Sequence, residues 1–178
     1  DSESAPLWEV KLGRGSIQGG IHFGMAAEGT RVYAPINDMN DTQNGDFLDP
    51  LLARPGIAAV DANSGEVFWQ HIQEDVCDPE LRFCDPGISA PVTAISGAVI
   101  AGHLDGFVRI YDGATGEVMW EFDTTQDLQT VNGIAARGAS ISGAGPAVGQ
   151  GHIVINSGYG LYSHEPGNAL LVFSVDGD

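Results

Sequence analysis

The chain repeats itself. Ala59-Val60-Asp61-Ala62-Asn63-Ser64-Gly65-Glu66-Val67-Phe68-Trp69 returns 51 positions later as Ile110-Tyr111-Asp112-Gly113-Ala114-Thr115-Gly116-Glu117-Val118-Met119-Trp120, and the two share Asp-x3-Gly-x3-Trp. A repeat of this period implies small units stacked or arranged around an axis. The residues before each Asp are apolar and rich in β-branched or aromatic types, which suits a strand. Asp-x-x-Ser/Thr-Gly is turn chemistry: the Asp caps local N–H groups and the Gly takes a positive φ. Glu-Val-Phe-Trp and Glu-Val-Met-Trp read as the returning strand. One small sheet cannot bury a Trp alone, so Trp69 and Trp120 are predicted to wedge against the next unit.

Two weaker echoes flank these copies. Pro6-Leu7-Trp8-Glu9-Val10 resembles a returning strand, and Ala169-Leu170-Leu171-Val172-Phe173-Ser174-Val175-Asp176-Gly177 an incoming one that stops at its turn. The pattern predicts a returning outer strand at 6–12. One four-stranded sheet follows at 21–27, 31–36, 57–61 and 66–71, and a second at 89–95, 98–103, 106–112 and 117–122. Three strands of a third fall at 143–149, 152–157 and 168–175. Tight turns are expected at Ser96-Gly97 and Asp105-Gly106. The expected fold class is all-β: about three four-stranded antiparallel blades of a partial β-propeller. The blades run over about 13–71, 85–122 and 139–178 in one domain, with 6–12 an outer strand of a neighbouring blade.

Composition narrows the partners. A formal charge of −17 argues against binding nucleic acid or anionic lipid. No stretch approaches a membrane span. The absence of an initial Met is expected of a processed or trimmed product. Cys77 and Cys84 are the only cysteines, and their short spacing predicts a disulfide and an oxidising compartment, periplasmic or secreted. Six intervening residues do not suit a zinc pair, and no His follows Cys84 as haem attachment requires.

Three connections exceed turn length: Asn37 to Gly56, Gln73 to Ile88 and Asp123 to Ser142. Long loops in compact domains are usually functional or disordered. All three leave from corresponding places, so they share one face, the candidate functional face.

The repeated Ala-x-Asp-x-x-Thr-Gly-x-x-x-Trp frame resembles the tryptophan motif of the pyrroloquinoline-quinone (PQQ) dehydrogenase propellers, or quinoproteins, with Ser64 for Thr in the first copy and Ile110 for Ala in the second. Further segments are similar to the C-terminal blades of polyvinyl-alcohol dehydrogenases. These are Cys84-Asp85-Pro86-Gly87-Ile88-Ser89-Ala90, Leu104-Asp105-Gly106, Thr130-Val131-Asn132-Gly133, Asn156-Ser157-Gly158-Tyr159-Gly160, Pro166-Gly167-Asn168 and Phe173-Ser174-Val175-Asp176-Gly177. Gly19-Gly20-Ile21-His22-Phe23-Gly24 matches the start of an earlier blade. The resemblance implies part of a periplasmic oxidoreductase that oxidises alcohols with PQQ on the propeller axis, usually with Ca²⁺, and passes electrons to a cytochrome c. The chain departs from it in having about three blades, no Cys-x-x-Cys-His and no adjacent-cysteine pair.

That resemblance sorts the candidate site residues. His22, at the start of an innermost strand, should point near the axis and touch PQQ. Arg137 suits a PQQ carboxylate, and Asn132 a quinone oxygen or a metal. Asp38 is the candidate base, ahead of an acidic stretch with Asp41, Asp46 and Asp49. Asn40-x-Thr42-x-Asn44-Gly45 resembles the start of a calcium loop, but its twelfth position is Leu51 rather than Glu, so no metal ligand is assigned. Tyr159 and His164 are expected to line a substrate groove. Asp105 reads as a turn residue. Gly143-Ala144-Gly145-Pro146 is not a dinucleotide loop, and no nucleophile elbow or His-Glu-x-x-His occurs.

Two functional readings follow: a fragment of such a dehydrogenase, inactive alone because an axial cofactor needs walls from every blade, or a non-catalytic propeller module used for binding or assembly. Three blades cannot close a ring, and an open one exposes apolar sheet faces. Either the remaining blades of a longer parent complete it, or two copies join head to tail as a homodimer, each donating residues 6–12 to the other's third sheet.

Overall fold

Short apolar runs punctuated by Asp, Gly and Asn fold into antiparallel sheets in sequence order. The structure is a computed structural model and describes residues 5–15, 19–38, 50–81, 83–159 and 164–175. The first sheet comprises β1 (Ala26–Glu28), β2 (Arg31–Ile36), β3 (Gly56–Asp61) and β4 (Val67–Ile72), in that spatial order. The second repeats it with β5 (Thr93–Ile95), β6 (Ala98–Gly102), β7 (Phe107–Asp112) and β8 (Val118–Asp123). A two-stranded hairpin follows, β9 (Asp127–Leu128) and β10 (Ala136–Arg137). The third sheet holds β11 (Ala147–Gly149), β12 (His152–Ser157) and β13 (Ala169–Ser174). Among the described residues the only helical element is a 3₁₀ turn at Pro50–Leu52.

The shared sequence frame becomes shared geometry. Asp61 Oδ1 accepts the Asn63 and Ser64 N–H groups, and Asp112 Oδ1 those of Ala114 and Thr115. These donors hold both carboxyls below their usual range. Each Gly of the turn has a positive φ, 75° at Gly65 and 76° at Gly116. The sheets repeat one irregularity, a bulge between Ala59 and Val60 and between Ile110 and Tyr111, opposite the returning strand.

Two Trp residues dock on the turn of the next sheet. Trp69 donates its indole N–H to the Gly113 carbonyl at 3.1 Å, and a methyl at Gly116 would stand 2.5 Å from its ring. Trp8 does the same one sheet earlier, donating to Ala62 at 2.9 Å above Gly65. Trp120 lies edge-on to Phe173 of β13 at 5.1 Å. The core is therefore intersheet. Tyr33, Ile57 and Ala59 meet Val99, Ala101 and Tyr111, while Ile100, Val108 and Trp120 meet Ile155, Leu171 and Phe173. Sequential sheets packed face to face with such wedges form a radial array.

Three differences from the sequence reading have physical causes. The innermost strands are shorter than expected, and the 19–24, 87–92 and 140–146 lead-ins are irregular, with bends and one isolated bridge, Ile21 to Ile36. Gly24, Pro91 and Gly145 crowd one another there, leaving no room for side chains. Residues 6–12 pair with no strand among the described residues, although Trp8, Val10 and Leu12 pack on the first sheet. The hairpin β9–β10 was not anticipated, because two-residue strands carry no readable period.

Candidate functional site

The β2–β3, β4–β5, β6–β7, β8–β11 and β12–β13 connections all leave the end of the sheets opposite the Asp-x3-Gly turns, and cross-links bind several of them together. Phe83 N–H donates to the Glu165 carboxylate at 3.2 Å, joining the second long loop to the β12–β13 loop. Thr124 and Ser157 hydroxyls meet at 2.6 Å, and Ser140 Oγ donates to the Leu104 carbonyl. Burial without partners would be costly at so many polar groups, and these bonds supply the partners. Cys77 and Cys84 form the disulfide that shapes the second loop. Reducing it, or replacing both cysteines with Ser, is expected to cost about 2–3 kcal/mol of stability, the loop-closure value for so short a ring; a melting temperature unchanged by reductant would contradict this.

The lead-in segments carry an in-phase polar position. The Gly20, Gly87 and Ser140 carbonyls accept the Asn37, Leu104 and Gly158 N–H groups, which makes His22, Ser89 and Ser142 equivalent. His22 Nδ1 lies 3.0 Å from Ser89 Oγ, and its ring stacks on Phe23 at 4.4 Å. Partial burial lowers the His22 pKa, so the ring is neutral and polar at neutral pH.

Asp38 is buried, and its carboxylate is heavily engaged. Oδ2 accepts N–H bonds from Arg14 at 3.0 Å and Arg54 at 2.6 Å, Oδ1 accepts from Gly15 at 2.9 Å, and Arg14 Nε lies 3.5 Å away. This anchoring also holds its left-handed backbone, φ 48°. A carboxylate so occupied has little lone-pair capacity left for taking a substrate proton. Asp105, its counterpart in the second sheet, accepts the Phe107 N–H and pairs with Arg109 at 2.9 Å, and Arg109 also reaches Glu121 at 3.2 Å. Burial outweighs that cation and raises the Asp105 pKa.

Sequence reasoning gave no role to Asp85, between the disulfide and Pro86. Its Oδ1 accepts the Gly87 N–H at 2.7 Å. Burial pushes its pKa up to about 7, and the Asp75, Asp105 and Asp38 charges add to the effect. The residue as a whole is half-buried. Its segment is pinned by the second sheet: Leu104 N–H donates to the Gly87 carbonyl, and His103 Nδ1–H to the Pro86 carbonyl, both at 2.9 Å. His103 is thereby the Nδ1 tautomer, and its Nε2 accepts the Tyr111 hydroxyl at 2.8 Å. Desolvation, helped by Arg109, pushes its pKa well down and keeps it neutral. The signal that could have found Ser89 was Gly87-Ile88-Ser89 in phase with Gly20-Ile21-His22. For Asp85 it was an acid locked between Cys and Pro.

The other candidates stand apart from this cluster. Asn132 is exposed at the tip of the β9–β10 hairpin, its Oδ1 accepting the Ile134 N–H at 3.2 Å. Arg137 is exposed on β10, its backbone paired with Asn168. Tyr159 is exposed, whereas His164 is buried rather than open to a groove. Asp41, Asp46, Asp49 and the Asn40–Gly45 calcium-like stretch lie outside the described residues. Among the described residues no group of three or more His, Cys, Asp and Glu converges as a metal site. No described helix is long and apolar enough to cross a membrane.

Repeated four-stranded sheets with Trp wedges and a loop-built polar face define the class: β-propeller blades of the PQQ-dehydrogenase type. The europium-containing methanol dehydrogenase shares the fold over 96% of this chain and 25% of its own, with a TM-score of 0.56 at 16% identity. BamB of Moraxella catarrhalis shares it over 85% and 33%, with a TM-score of 0.51 at 20% identity. The chain is homologous to the polyvinylalcohol dehydrogenase of Sphingopyxis sp. (strain 113P3), 35% identical over 99% of this chain, and to that of a Pseudomonas species, 34% identical over 99%. It is also 30% identical, over 68% of its length, to the quinohemoprotein alcohol dehydrogenase ADH IIB of Pseudomonas putida. It spans 28% of the length of the two polyvinylalcohol dehydrogenases. No protein-family model matches it.

Proposed function

We propose that this chain supplies the disulfide-bearing blades of a periplasmic PQQ-dependent alcohol dehydrogenase acting on polyvinyl alcohol or a similar secondary alcohol, with a cytochrome c as electron acceptor. The observation that carries the reading is similarity to polyvinylalcohol dehydrogenases along 99% of the chain. The disulfide suits an oxidising compartment.

The polar groups on the loop face fit one side of a planar, carboxylate-bearing quinone. A neutral imidazole and a hydroxyl stand 3.0 Å apart at His22 and Ser89. Bound PQQ supplies a two-electron acceptor for the hydride of an alcohol. His22 and Ser89 would orient it by hydrogen bonds; Arg137 and Asn132, which stand apart from that pair on the β9–β10 hairpin, are assigned a carboxylate and an amide contact on the resemblance alone. Tyr159, exposed beside the β12–β13 loop, is assigned to the substrate side, whereas the burial of His164 leaves it no such place. Asp85 suits proton acceptance better than the candidate Asp38, because one N–H bond engages it rather than three.

The intact parent protein, loaded with PQQ and Ca²⁺, is expected to show quinone absorbance and to reduce a dye with a secondary alcohol. The 178-residue chain alone is expected to turn over no alcohol. A parent with no affinity for the quinone would instead identify a non-catalytic binding or assembly module.

A further inference from the structure

A fully buried His–Tyr pair lies behind the Asp85 segment and takes no part in the proton acceptance assigned to Asp85. His103 and Tyr111 are both 0% exposed. Tyr111 donates its hydroxyl to His103 Nε2 at 2.8 Å, and burial raises its pKa, so it stays a neutral donor. Gln73 Oε1, 3.5 Å from the same hydroxyl, is the weaker competitor. With Nε2 thus filled, the neutral ring carries its proton on Nδ1 and donates it to the Pro86 carbonyl at 2.9 Å. The Pro86 carbonyl and the Gly87 N–H belong to one planar peptide unit, and that N–H is the donor to Asp85 Oδ1 at 2.7 Å. His103 and Asp85 therefore hold opposite ends of the same peptide.

The repeat supplies an internal comparison. The phase set by the Gly20, Gly87 and Ser140 carbonyls puts His103 in the place of Ile36 in the first sheet and of Ser157 in the third. Tyr111 takes the place of Val60, each standing just before its turn Asp. Ile36 and Val60 pack in one apolar cluster, so this corner of a sheet folds without a polar pair. In the third sheet Ser157 Oγ donates to the carbonyl of Ala139, the counterpart of Pro86, at 2.8 Å, but the residue in the place of Asp85 is Gly138. Of the three sheets, the second alone joins this lock to an acid.

We propose that His103 is a positioning residue for Asp85: with its tautomer fixed by Tyr111, it holds the Pro86–Gly87 peptide so that the Gly87 N–H is aimed at the carboxylate that accepts the substrate proton. Hydrogen bonds at the two ends of a peptide group polarise one another, so the His103 bond also strengthens that N–H as a donor. The segment has other anchors: the Leu104 N–H on the Gly87 carbonyl, the Ile88 N–H on the Ile36 carbonyl and the Cys77–Cys84 disulfide. Loss of the His103 side chain therefore leaves the Asp85 carboxyl buried and weakens its N–H bond. Burial and the charges of Asp75 in the second long loop, Asp105 in the β6–β7 turn and Asp38 after β2 push that carboxyl up, and the Gly87 bond opposes them. Arg109 of β7 and His71 of β4 face His103. Weakening the opposing bond raises the titration midpoint. The catalytic role rests on the assignment of Asp85 as proton acceptor; the positioning itself does not.

The test is titration of Asp85 in the 178-residue chain, followed by carbon NMR of its carboxyl and assigned by its absence in Asp85→Asn; it needs neither quinone nor turnover. His103→Ile, which copies the first sheet, is expected to raise the midpoint from about 7 by about one pH unit, the effect of one hydrogen bond to a charged group. Tyr111→Phe is expected to raise it by less. His103→Asn keeps an N–H for the Pro86 carbonyl and is expected to leave it in place. A midpoint unmoved by His103→Ile, or moved as far by His103→Asn, overturns the positioning role. In the intact parent loaded with PQQ and Ca²⁺, His103→Ile is expected to move the rising limb of the alcohol-oxidation rate up the pH scale by the same amount. A limb that stays in place while the chain's own midpoint moves refutes Asp85 as the acceptor, and the catalytic role of His103 falls with it.

Discussion

Trp69→Ala is expected to lower the unfolding free energy by about 3–5 kcal/mol, the usual loss when a large aromatic is truncated in a packed interior. The indole spans the contact between the first and second sheets, packing near Tyr33 at a centroid distance of 6.1 Å and donating to Gly113. Gly116→Ala attacks the same joint from the other side. An alanine there meets a backbone at φ 76° and a methyl-to-ring distance of 2.5 Å. The left-handed backbone alone costs about 1–2 kcal/mol, and the clash adds to it. With Trp69 already removed the clash vanishes, so the double variant is expected to be less destabilised than the sum of the singles, by about 1–3 kcal/mol. Denaturant midpoints of the four proteins measure this. Simple additivity would mean that ring and glycine do not meet, and the intersheet wedge would fail as the basis of the fold.

How much of this was legible follows from which interactions are local. The Asp-x3-Gly turns and Trp wedges were readable because a repeat writes the same local physics twice, and Asp61 and Asp112 bind their turns alike. The β6–β7 turn was readable for the same reason: Asp105 accepts the N–H two residues on. The innermost strands were overextended because Ile21 and Ile88 sit in apolar, strand-like runs, while close packing of Gly24, Pro91 and Gly145 is a contact between distant segments. The engagement of Asp38 was hidden similarly, since its donors Arg14, Gly15 and Arg54 lie 16 to 24 positions away.

Asp85 carries the second large expectation, through pH. Its carboxyl titrates at about 7 in the folded chain, raised mainly by burial, against 3.8 for an unshifted aspartate. The folded state thus holds a proton that the unfolded state has already released between those values. Where the folded state binds more protons, rising pH favours unfolding, so stability falls as pH rises from about 4 to about 7 and levels off above. A difference of roughly three pH units corresponds to about 4 kcal/mol as an upper figure. Asp85→Asn keeps an oxygen for the Gly87 N–H and removes the charge. It is therefore expected to leave stability nearly unchanged at pH 4 and to raise it by about 2–4 kcal/mol at pH 8, measured as the denaturant midpoint at each pH. A gain independent of pH, or none at pH 8, would show that the carboxylate is already solvated. Under the proposed function, Asp85 is the acid on the loop face assigned to proton acceptance. The same substitution in the intact parent is accordingly expected to slow alcohol oxidation while stabilising the protein.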